Sequence, residues 1–315
     1  MKALLPTGSN RSLVRVAEID EPDPADDEAV VAVLAFSVNR GETFQLEKPP
    51  DPGWRPGKDV AGVVVRAARG GRGPAPGTRV VAHPTAGGWA ERVAVAVDRI
   101  AVLPDPVTFE VAAALPLAGL TALRLLRVLG PVSSQRILLT GASGGVGHYF
   151  VELAAAQGAL VTAVTATPGR GRRLCELGAA EVIGSLADAV GPFDVGLDSV
   201  GGDSTPAVLT RLRDDGRLVW FGQASRAAPT IDFFDWSGGA NATIRKFVYW
   251  VSAVPDGEDL ATLVRLTASG RLHPEVGLVS DWSQTDAALD ALRHRSVVGN
   301  AVLTIESDLS GRTTR

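Results

Sequence analysis

Four closely spaced glycines in the middle of the chain suit a phosphate-binding loop, although their spacing is G-x-x-G-x-x-G and not the common G-x-G-x-x-G. They stand at positions 141, 144, 145 and 147, after an apolar run at 137–139 that is too short for a helix. An amphipathic segment and a second β-branched run at 160–164 follow, so the pattern predicts strand, loop, helix and strand. Glycine permits a close approach of backbone to ligand, and a helix N-terminus offers unpaired N–H groups and the positive end of its dipole. We therefore predict that a pyrophosphate binds at Gly141, Ser143, Gly144, Gly145, Val146 and Gly147.

The segment after the second predicted strand indicates which nucleotide carries that pyrophosphate. An acid about 20 residues beyond such a loop binds the ribose of NAD, whereas an arginine there binds the additional phosphate of NADP. Residues 164–173 contain no Asp or Glu but include Thr167 and Arg170, followed by Arg172 and Arg173. A hydroxyl and a guanidinium suit a 2′-phosphate, so NADPH is predicted in preference to NADH. For one or two of the three arginines the alternative is a solvated helix surface.

Two other interpretations of the glycine segment remain open. Residues 141–145 also fit G-x-S-x-G, the nucleophile elbow of serine hydrolases with Ser143 as nucleophile. Asp198 and His273 follow in the order that such a triad requires. The glycines can also serve chain packing alone, and loops of this kind occur too freely for the motif to decide by itself.

Composition indicates an ordinary globular protein. The 315 residues suffice for two domains, and 45% of them are hydrophobic and 21% charged. A net charge of −4 gives no electrostatic reason to expect a nucleic acid partner. The single cysteine, Cys175, excludes an internal disulfide and is expected to be a small packed residue. No segment has the apolar length of a signal peptide or a membrane span, so we expect a cytoplasmic protein with no membrane partner.

The order of predicted elements gives an α/β protein with a β-rich part. Short β-like runs separated by Gly and Pro fill the first 113 residues, which predicts a compact unit, a partly open barrel. From residue 135 to about 222 strands alternate with helices, the pattern of a parallel, doubly wound sheet. Residues 259–315 hold two helical segments and a last strand, and the polar tail 307–315 is expected to fray. The predicted strands are 14–19, 29–38, 60–67, 78–82, 89–97, 100–103, 137–139, 160–164, 181–183, 193–197, 216–221 and 300–305.

A series of short motifs resembles one family over almost the whole chain. The motifs are SVNRGE at 37–42, PGKDVAG at 56–62, PGTRV at 76–80, GGWAE at 87–91, LPLAGLTA at 115–122, TGASGGVG at 140–147, LGAAEVI at 177–183, DSVGG at 198–202 and GRLVWFG at 216–222. Their order resembles the zinc-free quinone oxidoreductase branch of the medium-chain dehydrogenase/reductase superfamily. The resemblance implies a GroES-like catalytic domain, residues 1–113 and 259–315, and a Rossmann dinucleotide-binding domain, residues 114–258. It further implies a homodimer in which NADPH reduces a small-molecule quinone or α,β-unsaturated carbonyl compound.

Two positions that match the family motifs indicate whether this chain can bind the catalytic zinc found in some members of the superfamily. Zinc-dependent members hold their catalytic metal with a cysteine and a histidine where this chain has Asn39 and Lys58, and the four-cysteine structural zinc loop is missing. An amide and an ammonium cannot replace a thiolate and an imidazole as zinc ligands. No metal site is therefore predicted, and Lys58 is either a solvated lysine or an ammonium at the place where relatives bind zinc.

The resemblance makes Asn39 and Glu42 the candidate catalytic residues, with Asn39 lining the substrate cleft. Hydride delivery builds negative charge on a carbonyl oxygen, which calls for hydrogen-bond donors. Asn39 either polarises or orients the substrate, or it only caps a turn. Family members often carry a tyrosine at the position of Phe44, so solvent or the nicotinamide ribose hydroxyl is left as proton source. The alternative function is an NADPH-binding sensor or structural protein with little turnover.

Further cofactor contacts are implied by the resemblance alone. Thr121 is expected near the nicotinamide, and Ser185 and Ser199 near the adenosine. Phe221 and Gly222 are expected where the cofactor crosses the sheet. The four histidines at 83, 148, 273 and 294 lack metal-ligand spacing and are expected at the surface or in packing.

Overall fold

The computed structural model describes residues 1–9, 12–234 and 238–306. The predicted polar tail at 307–315 lies outside the described residues. In chain order, the strands β1 to β15 are Lys2–Pro6, Val14–Glu18, Glu28–Val38, Val60–Arg66, Arg79–Ala82, Arg92–Ala96, Ile100–Val102, Arg136–Leu139, Leu160–Val164, Glu181–Ile183, Phe193–Asp198, Leu212–Trp220, Thr243–Lys246, Val276–Asp281 and Asn300–Thr304. The helices α1 to α8 are Arg40–Glu47, Phe109–Ala113, Pro116–Leu129, Gly145–Ala155, Gly171–Glu176, Ser204–Leu209, Asp256–Ala268 and Thr285–Arg293.

The chain forms two compact units. Residues 1–120 and the chain from residue 253 onward make the first unit, and residues 121–252 make the second. The chain passes from one to the other inside α3. In the part of the chain that the structure describes, no helix is both long and apolar enough to cross a bilayer.

The first unit is built on a mixed sheet of order β14-β15-β3-β4-β5-β7, with β6 also paired to β3. Strand β3 is an almost unbroken apolar run that is buried along nearly its whole length, which is typical of a strand covered on both faces. In its core, Phe36 stacks on Trp89 with ring centroids 5.6 Å apart, and both side chains are fully buried. The β-rich prediction for the first part of the chain is thus confirmed.

Strand register in this sheet positions the candidate site. Strands β3 and β4 are antiparallel with Phe36 opposite Val60, and β4 and β5 are antiparallel with Val60 opposite Ala82. The residues just beyond Phe36, just before Val60 and just after Ala82 therefore meet at one end of the sheet. Three segments that lie 20 or more residues apart in the chain are brought together there.

The second unit is an all-parallel sheet of order β10-β9-β8-β11-β12-β13. This confirms the predicted parallel sheet, which the continuous apolar runs of β8, β9 and β11 indicated. After β8 the chain adds strands on one side of this pair, and after β11 it adds strands on the other side. The loops that follow these two strands therefore lie at the topological switch point.

Several elements were not predicted. Helix α1 has little apolar periodicity, since only Glu42, Thr43 and Leu46 are buried in it. Strand β13 is fully exposed and β14 alternates between half-buried and exposed residues, so neither has the continuous apolar run of the other parallel strands. Helix α7, predicted at 259–269, begins at Asp256. The acidic residues Asp256, Glu258 and Asp259 lie in its first turn, where the helix dipole favours them.

Candidate functional site

The glycine loop of the second unit has the geometry that a backbone phosphate site needs. Gly141 has φ of +64°, and a Cβ there would stand 2.5 Å from Ser199 Oγ. Gly144 is the N-cap of α4 and has no side chain to bond the first-turn N–H groups. The loop is exposed at Gly141 and Gly144. The N–H groups of Gly145, Val146 and Gly147, in the first turn of α4, are therefore available for an anion.

Gly147 is needed for packing. A Cβ at this residue would lie 2.2 Å from the carbonyl oxygen of Ala142 and 2.5 Å from its carbonyl carbon. Neither atom is the end of a flexible side chain, so any other residue would push α4 away from the loop that precedes it. Only glycine permits this close approach of helix and strand.

Asp198 fixes the loops after β8 and β11 to each other. It is fully buried, and its oxygens accept hydrogen bonds from the hydroxyls of Thr140 at 2.7 Å, Ser204 at 2.8 Å and Thr205 at 2.7 Å. The backbone N–H groups of residues 200 and 201 also donate to it at 3.1 Å. Ser199 adds two bonds to Thr140, one from its backbone N–H and one from its hydroxyl. These hydrogen bonds hold the loops after β8 and β11 together at the switch point.

This arrangement argues against the serine hydrolase hypothesis. A triad aspartate must orient an imidazole, whereas the five donors to Asp198 are hydroxyls and backbone amides. The hydroxyl of the candidate nucleophile Ser143 accepts a bond from Thr165 Oγ1 at 3.1 Å. That bond ties the end of β9 to the glycine loop.

The predicted 2′-phosphate residues follow β9 directly. Thr167 is exposed, and its carbonyl oxygen accepts the N–H of Arg170 at 3.0 Å, which closes a short 3-10 turn. The side chain of Arg170 is half-buried. Arg172 and Arg173 form ion pairs with Glu176 on α5, at 3.8 Å and 3.2 Å. The solvated-helix alternative therefore describes those two arginines.

The other predicted cofactor residues fall into two groups. Ser199, Phe221 and Gly222 lie beside the glycine loop, since the Phe221 N–H donates to Asp198 O and a Cβ at Gly222 would be 2.9 Å from Ser199 O. Thr121 is buried in α3, and the hydroxyl of Ser185 accepts the N–H of residue 187 as the cap of a short turn. For all five residues the cofactor contact stays a prediction.

In the first unit, the residues that the sheet register brings together are organised around Asp59. This carboxylate is 1% exposed. It accepts hydrogen bonds from Ser37 Oγ at 2.6 Å, Asn39 Nδ2 at 2.6 Å, the Leu117 N–H at 2.9 Å and His83 Nδ1 at 3.2 Å. Four donors fill the acceptor sites of a carboxylate. Because Asp59 only accepts, the His83 tautomer with hydrogen on Nδ1 satisfies this bond.

Asp59, Ser37 and the role of His83 were not predicted from the sequence. His83 was expected at the surface or in packing, and it is buried against Asp59. A usable signal was present: Asp59 immediately precedes the apolar run of β4, and His83 immediately follows that of β5. Cys175, expected to be packed, is exposed.

Glu42 lies next to this cluster and is also 1% exposed. Its Oε2 accepts the Asn39 N–H at 3.0 Å and Oε1 accepts the Gly57 N–H at 2.9 Å. The pKa of Glu42 is raised from 4.5 to about 7, first because the side chain is buried and second because of the negative charge of Asp59. The bonds from Asn39 and Gly57 and the charge of Lys58 act in the opposite direction. Glu42 therefore holds a proton at pH values where exposed glutamates have lost it.

Asn39 caps α1 and forms a capping box with Glu42, so the capping alternative describes its local structure. Its amide nitrogen also donates to Asp59 Oδ2 at 2.6 Å and, at 3.4 Å, to Glu42 Oε2. Both amide hydrogens are thus directed at carboxyl groups. Asn39 cannot donate to a substrate oxygen without breaking one of these bonds, so the polarising role loses its support and an orienting role is left.

Replacing Glu42 with glutamine should remove a pH dependence of stability. A carboxyl whose pKa is about 7 in the folded state and 4.5 when unfolded keeps a proton that the unfolded chain releases. Its stabilising contribution is complete below about pH 4.5 and is lost as the pH rises to about 7, by roughly 3 kcal/mol. Urea unfolding at both ends of this range should therefore show the wild type losing more stability than Glu42→Gln. Parallel losses in the two proteins would mean that Glu42 titrates normally.

Comparison with known proteins identifies the family of the chain. Residues 25–105 match the family described as alcohol dehydrogenase GroES-like domain, and residues 177–303 match the one described as zinc-binding dehydrogenase. The chain is 29% identical over 311 residues to a quinone oxidoreductase of Salmonella typhimurium, covering 92% of this chain and 95% of the relative. It is 32% identical over 302 residues to a chloroplast envelope quinone oxidoreductase homolog of Arabidopsis thaliana, covering 86% and 88%.

Two further similarities concern an enoyl substrate and a cofactor. A trans-enoyl reductase of Aspergillus terreus is 31% identical over 201 residues, covering 54% of this chain and 66% of the relative. The structure of a mycobacterial protein complexed with NADPH superposes with a TM-score of 0.88 at 25% identity, covering 96% of this chain and 99% of the other. The predicted fold class, a GroES-like domain with a Rossmann domain, is confirmed. The chain belongs to the quinone oxidoreductase branch of the medium-chain dehydrogenase/reductase superfamily, and it is an oxidoreductase.

Proposed function

We propose that this protein uses NADPH to reduce a quinone or an α,β-unsaturated carbonyl compound, and that it does so without zinc and as a homodimer. The observation that carries the proposal is the combination of Arg170 with a strand end that has no acid, directly beside the glycine loop. A carboxylate in that position would repel a 2′-phosphate, whereas a guanidinium can hold it with two parallel hydrogen bonds.

The residues of the second unit fit a dinucleotide. The first-turn N–H groups of α4 would bind the pyrophosphate, and Gly141 and Gly144 keep side chains out of its way. Thr167 and Arg170 would bind the 2′-phosphate. Ser199, Phe221 and Gly222, at the ends of β11 and β12, would border the cofactor where it crosses the sheet, and Thr121 and Ser185 complete the proposed set. When bound, NADPH supplies the hydride.

The residues of the first unit do not fit a catalytic zinc. The oxygens of Asp59 are filled by four donors, and those of Glu42 accept backbone N–H groups. Asn39 and Lys58 occupy the positions from which zinc-dependent members bind the metal, and an ammonium repels a divalent cation. Among the described residues, no group of three or more His, Cys, Asp or Glu side chains is arranged to hold a metal. No step of the proposed reaction therefore uses one.

Asn39 and Glu42 would act by holding the substrate side of the first unit in one conformation. Glu42 fixes the start of α1 through the Asn39 N–H and fixes the preceding loop through the Gly57 N–H. Asn39 is half-buried and lies between the two carboxyl groups. A rigid wall of this kind orients an acceptor for hydride transfer.

NADPH consumption with a panel of benzoquinones, naphthoquinones and linear and cyclic enones tests the proposal. Turnover is expected with at least one of the two classes, and it should survive extensive treatment with a metal chelator. Tight NADPH binding without reduction of any acceptor would instead favour the binding protein with little turnover. Loss of activity on chelation that added zinc restores would contradict the metal-free chemistry.

A further inference from the structure

Reduction of a quinone or enone demands a positive or hydrogen-bonding group at the oxygen that becomes charged, and the side-chain amide of Asn39 is already bonded to the two acids. The product of hydride addition carries negative charge on an oxygen, and a donor aimed at that oxygen lowers the barrier. Three side chains at this end of the sheet, Ser37, Asn39 and His83, direct donors at Asp59. The backbone N–H groups of Gly57 and Leu117 are bound to Glu42 and Asp59.

Lys58 is the residue of this cluster whose donors are not consumed in that way. It lies between Gly57 and Asp59, both of which are buried, and is itself half-buried. It directly follows Gly57, whose N–H binds Glu42, and its positive charge lowers the pKa of that carboxyl group, so the ammonium lies within electrostatic reach of Glu42. Within residues 1–9, 12–234 and 238–306 it forms no hydrogen bond and no ion pair. A half-buried ammonium with three uncommitted N–H donors is prepared to bind an anion from outside the chain.

The other cation of the same loop is placed differently. The guanidinium of Arg55 packs against Gly87, and the charges that act on Glu42 are those of Asp59 and Lys58. Arg55 is also half-buried. Arg55 therefore serves as a matched control, because it carries a positive charge in the same loop but lies outside the cluster around Asp59.

We propose that the Lys58 ammonium stabilises the negative oxygen of the reduced acceptor and so takes the electrostatic part that a metal ion would otherwise play. This inference rests on the proposed function. A carbon–hydrogen bond of the nicotinamide breaks and NADPH is oxidised to NADP⁺, while the acceptor is reduced. The acceptor gains the hydrogen with its electron pair in a new bond, and the negative charge moves to the oxygen of an enolate or quinol anion. The ammonium pairs with that oxygen without giving up a proton, and a solvent water then protonates the product. Acceptors are thus restricted to compounds whose reduction places charge on oxygen.

Binding of 4-nitrophenolate to the full-length protein tests this without turnover. The phenolate mimics the quinol anion, and its absorption band reports the environment of its oxygen. Wild-type protein should bind it about tenfold more tightly than Lys58→Met, the effect of one charge-assisted hydrogen bond. The neutral isostere 4-nitrotoluene should bind both proteins equally. Lys58→Arg keeps the charge and should retain most of the phenolate affinity.

Two control variants separate this effect from general charge and from misfolding. Lys48→Met removes an exposed lysine ten residues away and changes the net charge equally, and Arg55→Gln removes the neighbouring cation. Both should bind phenolate as the wild type does, with thermal midpoints like that of Lys58→Met. Equal phenolate affinity of wild type and Lys58→Met, or an equal loss in Lys48→Met or Arg55→Gln, would overturn the role of Lys58. A wild type that reduces no acceptor but binds phenolate through Lys58 would overturn the proposed function instead.

Discussion

Arg170→Ala should weaken NADPH binding by roughly 10- to 100-fold and leave NADH binding unchanged, because one guanidinium makes one or two charge-assisted hydrogen bonds to the 2′-phosphate. The wild type is expected to bind NADPH at least about tenfold better than NADH for the same reason. Thr167, which closes the same turn, contributes a single neutral donor and should matter less. We therefore expect the preference to depend mainly on the side chain of Arg170, in the turn that follows β9.

Titration calorimetry of both cofactors against wild type, Arg170→Ala and Arg172→Ala measures this directly. Arg172 is the matched control, since its side chain is 90% exposed and pairs with Glu176 on α5. It should retain the wild-type preference. If wild-type protein bound NADH and NADPH equally, or if Arg172→Ala lost as much NADPH affinity as Arg170→Ala, the assignment of the phosphate site would be wrong.

Gly147→Ala should destabilise the protein, whereas Gly144→Ala should leave it folded but weaken cofactor binding. A Cβ at Gly147 stands 2.2 Å from a backbone oxygen, so α4 has to shift. The expected cost is about 3 kcal/mol, which corresponds to a thermal midpoint lower by roughly 10 °C. A Cβ at Gly144 meets only Gly141 O, at 3.4 Å, and projects from an exposed part of the loop. It would stand where a phosphate approaches the backbone and should reduce NADPH affinity about tenfold or more.

Thermal unfolding together with NADPH titration of the two variants distinguishes these effects. Gly184→Ala supplies a control in the same unit, because a Cβ there would touch only Asp188 Oδ2, at 3.9 Å. Gly184→Ala should change neither the thermal midpoint nor the NADPH affinity measurably. A stable Gly147→Ala variant would show that α4 can move away from the loop without cost, and normal NADPH affinity in Gly144→Ala would remove the glycine loop from the proposed site.

The second unit was largely predictable because its signals are local. A phosphate loop needs glycines at fixed spacing between one strand and one helix, and all of these lie within residues 136–155. Fully buried parallel strands read as short apolar runs. The absence of acids after β9 and the presence of Arg170 are likewise visible in the chain itself. Strand β13 escaped prediction because its four residues are exposed and carry no such run.

The candidate site of the first unit was only partly predictable. The resemblance singled out Asn39 and Glu42, and the N-x-x-E spacing carries the capping-box signature that begins α1. The order of residues places Asp59 and His83 at the ends of predicted strands, but it does not indicate that Asp59 binds Ser37, Asn39 and His83, which lie 20 to 24 positions away. Strand register alone brings these side chains together, since a shift by one residue would turn each of them to the opposite face.

The sequence by itself determined the two kinds of architecture, the glycine loop, and the residue types at the proposed phosphate site and at the positions where zinc-dependent relatives bind the metal. Each of these depends on neighbours in the chain. Tertiary structure decided how those residues are charged and which of their donors are already used. Burial beside Asp59 raises the pKa of Glu42 to about 7, and the bonds to the two acids occupy the amide hydrogens of Asn39. Solvation and hydrogen-bond partners are properties of the packed chain, so they appear only when segments distant in sequence meet.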